Sequence, residues 1–174
     1  MKSNYIVPLV GLVLIAGFIW WAKPTNSSTI SSESDSQAQN EVVSSAMSSD
    51  ILSLDKRSYD FGTISMGKGK ISTTFALTNV STSSVQTSKL YTSCMCTTAR
   101  FIQGGQESDE FGMPGHGFVP PMERTIAPGE TAQIVVTFDP AAHGPAGVGK
   151  ISRAVRLETD RGPFEVNFTA DVSP

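Results

Sequence analysis

The hexamer Thr92-Ser93-Cys94-Met95-Cys96-Thr97 holds both cysteines of the chain, two positions apart. On an extended strand, side chains at i and i+2 leave the same face with Cα atoms about 6.5–7 Å apart, the upper edge of disulfide geometry. Four readings are open: a strained disulfide in an oxidising compartment, two free thiols, a two-thiolate claw for a soft metal ion, or two small buried hydrophobes at a strand end. A second group of soft donors follows. Met113 and His116 sit in the turn-rich stretch Gly112-Met113-Pro114-Gly115-His116-Gly117, with Met122 and His143 further on. Thiolate, thioether and imidazole are the ligand types that suit copper(I). The candidate metal set is therefore Cys94, Cys96, Met113, His116, Met122 and His143, with copper(I) as the ion. The plainer alternative is that these methionines and histidines pack or face solvent, with His143 serving the turn begun by Asp139-Pro140.

Other chemistry is not signalled. There is no Ser/His/Asp order, paired catalytic carboxylate, glycine-rich phosphate loop or His-Glu-x-x-His helix, so no catalytic residue is assigned and no enzyme is expected. Two cysteines do not make a disulfide scaffold or a four-cysteine zinc site. Residues 51–174 carry 11 Lys and Arg against 12 Asp and Glu, too even a balance to hold a polyanion, and nucleic acid is not an expected partner. Glu107, Asp109 and Glu110 read as a solvated loop face. Asn26-Ser27-Ser28, Asn79-Val80-Ser81 and Asn167-Phe168-Thr169 match the glycosylation sequon, a pattern short enough to arise by chance.

The elements that must position these residues fall into three parts of the 174-residue chain. Residues 1–23 read as an uncleaved membrane anchor. No charge lies between Lys2 and Lys23, and residues 5–22 are apolar almost throughout. As a helix this run rises about 27 Å, near the thickness of a bilayer core, with Trp20 and Trp21 at interfacial depth. An Ala-x-Ala-like cleavage site does not follow it. Residues 24–50 hold ten serines and four acids and read as a disordered tether. Residues 51–174 read as an all-β, immunoglobulin-like antiparallel β-sandwich. Ile71, Thr73, Phe75 and Leu77 alternate with polar or small residues. So do Ala132, Ile134, Val136 and Phe138, and Phe164, Val166, Phe168 and Ala170. Shorter strands are expected over 51–54, 58–61, 85–91, 95–101 and 152–158. Residues 103–124, with five glycines and three prolines, break the rhythm and read as one long functional or disordered loop.

Several pieces in order resemble one bacterial family. They are Tyr59-Asp60-Phe61-Gly62-Thr63-Ile64, Gly67, Phe75-x-Leu77-Thr78-Asn79, Ser93-Cys94-Met95-Cys96-Thr97, Ile126-Ala127-Pro128-Gly129-Glu130 and Val135-x-Thr137-Phe138-Asp139-Pro140. The chain is similar over residues 52–172 to the domain-of-unknown-function family 1573, akin to the sandwich modules named for abnormal spindle, major sperm protein and hydin. The resemblance implies an extracytoplasmic immunoglobulin-like domain and supplies no reaction. Its usual Cys-Gly-Cys-Thr has Met95 in place of glycine here, and the Met-Pro-Gly-His-Gly loop looks like an insertion found in a subset of that family.

The leading expectation is a non-enzymatic binding or structural module of the bacterial envelope. It is held in the inner (cytoplasmic) membrane by residues 5–22, faces the periplasm or cell exterior, and binds an unidentified envelope protein. The alternatives are a copper(I)-binding or copper-handling protein, and a thiol–disulfide role for the cysteines. The last is weakened because a strand lacks the helix dipole that lowers a thiol pKa.

Overall fold

A computed structural model describes residues 51–174. The expected anchor at 5–22 and the tether at 24–50 lie outside the described residues. Among the described residues no helix is long and apolar enough to cross a membrane.

Period-two alternation becomes strand wherever the sequence shows it clearly. β3 (Ile71–Asn79), β8 (Thr131–Phe138) and β10 (Gly162–Ser173) bury every second side chain. Ten strands form, with the longest connections between β6 and β7 and between β8 and β9, and no α-helix lies among the described residues. One sheet runs β1 (Leu52–Leu54), β3, β8, β5 (Thr97–Gln103), β6 (Gln106–Glu107). The other runs β2 (Ser58–Ser65), β10, β9 (Gly149–Thr159), β4 (Val85–Thr92), β7 (Arg124–Ile126). Between the sheets Phe75, Leu77, Phe101, Ile134 and Val136 join Leu90, Leu157 and Phe168 in one continuous core. The fold is the expected all-β sandwich, with three departures.

The first is strand direction. β2 runs parallel to the final strand β10, pairing Ser58 with Asn167 and Ser65 with Ser173, so the sandwich is mixed rather than purely antiparallel. The register shifts near Gly62, which takes φ 66°. Asp60 holds this bulge: its Oδ1 accepts Gly62 N–H at 3.0 Å and Thr169 Oγ1–H at 2.9 Å. These bonds to the charged form lower the Asp60 pKa.

The second departure lies in residues 103–124, which are not one structureless loop. Gly104 and Gly105 both take positive φ, 57° and 79°, and turn β5 into β6 as a two-residue hairpin. Phe111 then bridges Ala99 through two backbone hydrogen bonds of 2.8 and 2.9 Å and buries its ring. The acidic residues are not all free in solvent, because Arg100 pairs with Glu107 and Glu110. The third departure is the cysteine segment. The strand expected over 95–101 starts only at Thr97, and both cysteines precede it in a turn.

Away from the cysteines the sandwich is bolted by a buried amide. Asn79, 0% exposed, donates through Nδ2 to Ser83 O and Ile126 O, each at 2.8 Å. Its Oδ1 accepts from Ser81 N and Ser81 Oγ at 3.0 and 2.7 Å. A glycan on Asn79 is incompatible with this fold, so that sequon is a structural asparagine. Its backbone meets the 127–130 turn, where Glu130 accepts Ala127 N–H at 2.8 Å and Gln103 Nε2–H at 2.9 Å. The Ala127 amide is the larger cause, and the two bonds lower the Glu130 pKa.

Two outcomes follow. Asn79→Ala strands two carbonyls and should lower the unfolding free energy by about 2–3 kcal/mol, read from the urea midpoint. Glu130 has a folded pKa below its unfolded value, so its contribution is present above the unfolded carboxylate range and disappears as pH falls through the folded pKa. Glu130→Gln should therefore be less stable than the parent at neutral pH, with the two unfolding midpoints converging on acidification.

Candidate functional site at the cysteine turn

β4 belongs to one sheet and β5 to the other, and residues 93–96 carry the chain between them. So abrupt a crossing must satisfy its own backbone groups. Thr97 N–H closes on Cys94 O at 3.1 Å. The buried Thr92 hydroxyl lies 3.0 Å from Cys94 O and 2.9 Å from Thr97 O and donates to them. The turn is pinned on both sides: Ser93 N–H donates to Ala154 O at 2.9 Å, and Cys96 O accepts from Asp139 N at 2.9 Å. Ser93 Oγ accepts Ala154 N–H at 2.9 Å.

This turn, not an extended strand, sets the cysteine geometry. The Cα atoms of Cys94 and Cys96 are 5.3 Å apart and the two sulfurs form a disulfide. Cys94 is 8% exposed and Cys96 2%, while Met95 between them is 50% exposed. Cys96 N–H donates to Cys94 Sγ at 3.3 Å.

Two basic side chains converge on the bond, one per sulfur. His143 Nε2 lies 3.1 Å from Cys94 Sγ. A disulfide sulfur carries no hydrogen, so the tautomer with hydrogen on Nε2 makes that contact a hydrogen bond. Asp139 starts the segment that delivers it, with Oδ1 accepting Ala141 N–H at 2.9 Å, and a single 3₁₀ turn over Gly144–Gly147 follows. A Cβ on Gly147 would stand 3.1 Å from His143 Cβ, so glycine there leaves the imidazole its place. On β9, Arg153 donates from Nε to Cys96 Sγ at 3.4 Å, and from Nη1 to Ser152 O at 2.8 Å. Thr97 Oγ1 adds a contact to Cys96 Sγ at 3.6 Å.

The candidate donors therefore divide. The ligand atoms of Cys94, Cys96 and His143 all lie within 4.8 Å of one another. His116 is outside that group, exposed, with its N–H donating to Met113 O at 3.2 Å. Met113 is half-buried in the segment whose Gly112 O accepts Thr92 N–H at 3.1 Å. Met122 is a core residue, its N–H bonded to Ser88 O and its O to the Thr87 hydroxyl, each at 3.0 Å. His143, a member of the expected donor set whose alternative was a turn role, lies against Cys94. Arg153 carried no signal in the sequence, since only the register of β9 brings it to the turn.

The chain resembles a family described as Protein of unknown function (DUF1573), whose model matches residues 52–110. The match includes both cysteines, while His143 and Arg153 lie beyond it. No curated protein matches the chain. Among solved structures, a protein of unknown function from Porphyromonas gingivalis W83 is similar with TM-score 0.50 and 14% identity, over 70% of this chain and 46% of that one. This chain thus spans less than half the length of that relative. The ASH / PapD-like domain 7 of human CEP192 is similar with TM-score 0.44 and 14% identity, over 71% of this chain and 86% of that domain. The secreted serine protease VesC of Vibrio cholerae gives TM-score 0.49 and 10% identity, over 79% of this chain and 26% of that one. At these identities the likeness is one of fold alone.

A disulfide between residues two apart is a weak staple. Chain entropy for so short a loop gives only about 1.5 kcal/mol, set against a core that includes Phe75, Phe101, Phe111 and Phe168. The double variant Cys94→Ala/Cys96→Ala should still unfold cooperatively, with a thermal midpoint lower by about 5–10 °C. Loss of the cooperative transition would instead make the bond a requirement of the fold.

Proposed function

We propose that the chain is a non-enzymatic binding module of the bacterial envelope, held to the cytoplasmic membrane by residues 5–22, with its sandwich domain outside the cytoplasm. The observation that carries the binding reading is the loop laid across the second sheet. Pro114 and Val119 of that loop, with Lys89, Tyr91, Glu158 and Thr159 of β4 and β9, line a groove of about 580 Å³. The next side chain to Val119 is Phe118, 86% exposed. A large aromatic held in water on a loop over a rigid sheet is what a docking anchor looks like before its partner arrives. Tyr91 Oη–H donates to Glu158 Oε1 at 2.8 Å, which fixes one wall. With opposite charges on Lys89 and Glu158 beside apolar walls, the groove suits a protein segment presenting an apolar side chain flanked by polar backbone.

The envelope location is supported by the apolar run with its paired tryptophans and by the disulfide, a bond that persists in oxidising compartments. The test is site-specific photocrosslinking in intact cells of the host. A photoreactive residue at 118 should give one discrete adduct, lost on Val119→Asp, while the same residue at the exposed Val80 should not. Equal, diffuse adducts from both positions would remove the groove from consideration.

A further inference from the structure

We infer that reduction turns the cysteine turn into a three-donor site for a soft monovalent d10 ion, copper(I), with Cys94 Sγ, Cys96 Sγ and His143 Nε2 as the ligands. This goes beyond the groove reading and does not depend on it. It also differs from the donor set expected from sequence, because it omits Met113, His116 and Met122.

The ligand atoms already stand within 4.8 Å of one another. Donors at about 2.0–2.3 Å from a trigonal d10 ion lie about 3.5–4 Å apart, so the nitrogen is near enough and the sulfurs need only separate from their bond. The frame that holds them does not rest on that bond. Thr92, Ser93, Ala154 and Asp139 fix the turn through its backbone, and the backbone that carries His143 is set by its own turn, where Ala142 N–H donates to Asp139 O and Gly144 N–H to Ala141 O. Reduction thus releases two thiolates without releasing the residues that bear them.

The neighbours favour a monovalent ion. Two thiolates and one copper(I) sum to a single negative charge, which the Arg153 guanidinium, 3.4 Å from Cys96 Sγ, offsets. Two thiolates and a zinc ion sum to zero, and the same guanidinium would leave the site positive. Zinc also prefers four ligands where this site offers three.

The opening step balances with a dithiol as reductant. One of its thiolates attacks Sγ of Cys94, the more exposed of the two residues. The Cys94–Cys96 bond breaks and its electron pair leaves on Cys96 Sγ, where Arg153 Nε–H stabilises the thiolate. The second thiolate of the reductant attacks its own partner sulfur in the mixed disulfide and expels the Cys94 thiolate. Two electrons have passed to the cysteines, the reductant ends as a disulfide, and its two protons go to the solvent or to the new thiols. Copper(I) then binds as the two cysteines give up their protons to solvent and the imidazole exchanges its Nε2 hydrogen for one on Nδ1, which frees the Nε2 lone pair.

The experiment uses the full-length chain in detergent. It is prepared oxidised or reduced with a phosphine under anaerobic conditions, and copper(I) alone is the probe in competition with a chromogenic copper(I) chelator. Thiol titration reports reduction separately. Two thiols per chain are expected after treatment, with one copper(I) held by the reduced chain and none by the oxidised chain. His143→Ala should weaken binding at least tenfold, and His116→Ala should bind as the parent does. In a parallel titration of the reduced chain with zinc alone, Arg153→Gln should narrow the preference for copper(I) over zinc. A pair that resists the phosphine, a reduced chain that holds no copper(I), or equal losses for His116→Ala and His143→Ala would each overturn the assignment. None of these results bears on crosslinking from residue 118.

Discussion

Between Thr92 and Thr97 the chain must pass from one sheet to the other, and the backbone groups exposed by that crossing must all be satisfied at the edge of the core. The Thr92 hydroxyl, Ser93 Oγ and the amide of Asp139 meet that demand. Because the bonds run to β9 on one side and to the segment after β8 on the other, the crossing acts as a clasp between the layers. Everything chemically distinctive is a by-product of the clasp. It curls the cysteines together, and it gathers side chains from both sheets around them: His143 follows β8, Arg153 sits on β9.

This arrangement also decides what kind of disulfide it is. A bond that joins distant segments acts mainly on the unfolded chain, in proportion to the loop it closes. This one closes almost nothing, and hydrogen bonds already impose the turn. Its chemical value lies in the asymmetry of its surroundings, an imidazole at Cys94 and a guanidinium at Cys96, rather than in stability.

Legibility in the sequence followed the physics of each element. β3, β8 and β10 were plain because their side chains alternate between core and solvent, and period two has few other causes. The hairpin at Gly104-Gly105 was written in the sequence as a pair of residues suited to positive φ, but the prolines and glycines that follow masked it. The parallel pairing of β2 with β10 left no trace, since it joins nearly the first strand to the last and no local pattern encodes such a partner. At the site, the cysteines drew notice through residue type. Their conformation did not, because Met95 sits where an alternating strand and a tight turn look alike. His143 was visible only as a histidine, and Arg153 was one basic residue among several on a strand.

The register of the first sheet has a directional consequence. Leu52 pairs with Asn79, and Ile51 O accepts from Val80 N, so the chain enters the domain at the pole of the buried amide. Phe138 pairs with Thr97 at the other pole, beside the cysteines. The length of β8, about 23 Å from Thr131 to Phe138, separates the two. Ile51 and the sulfur pair therefore mark opposite poles of the sandwich, so a partner that engages the cysteine turn meets the end of the domain away from residue 51.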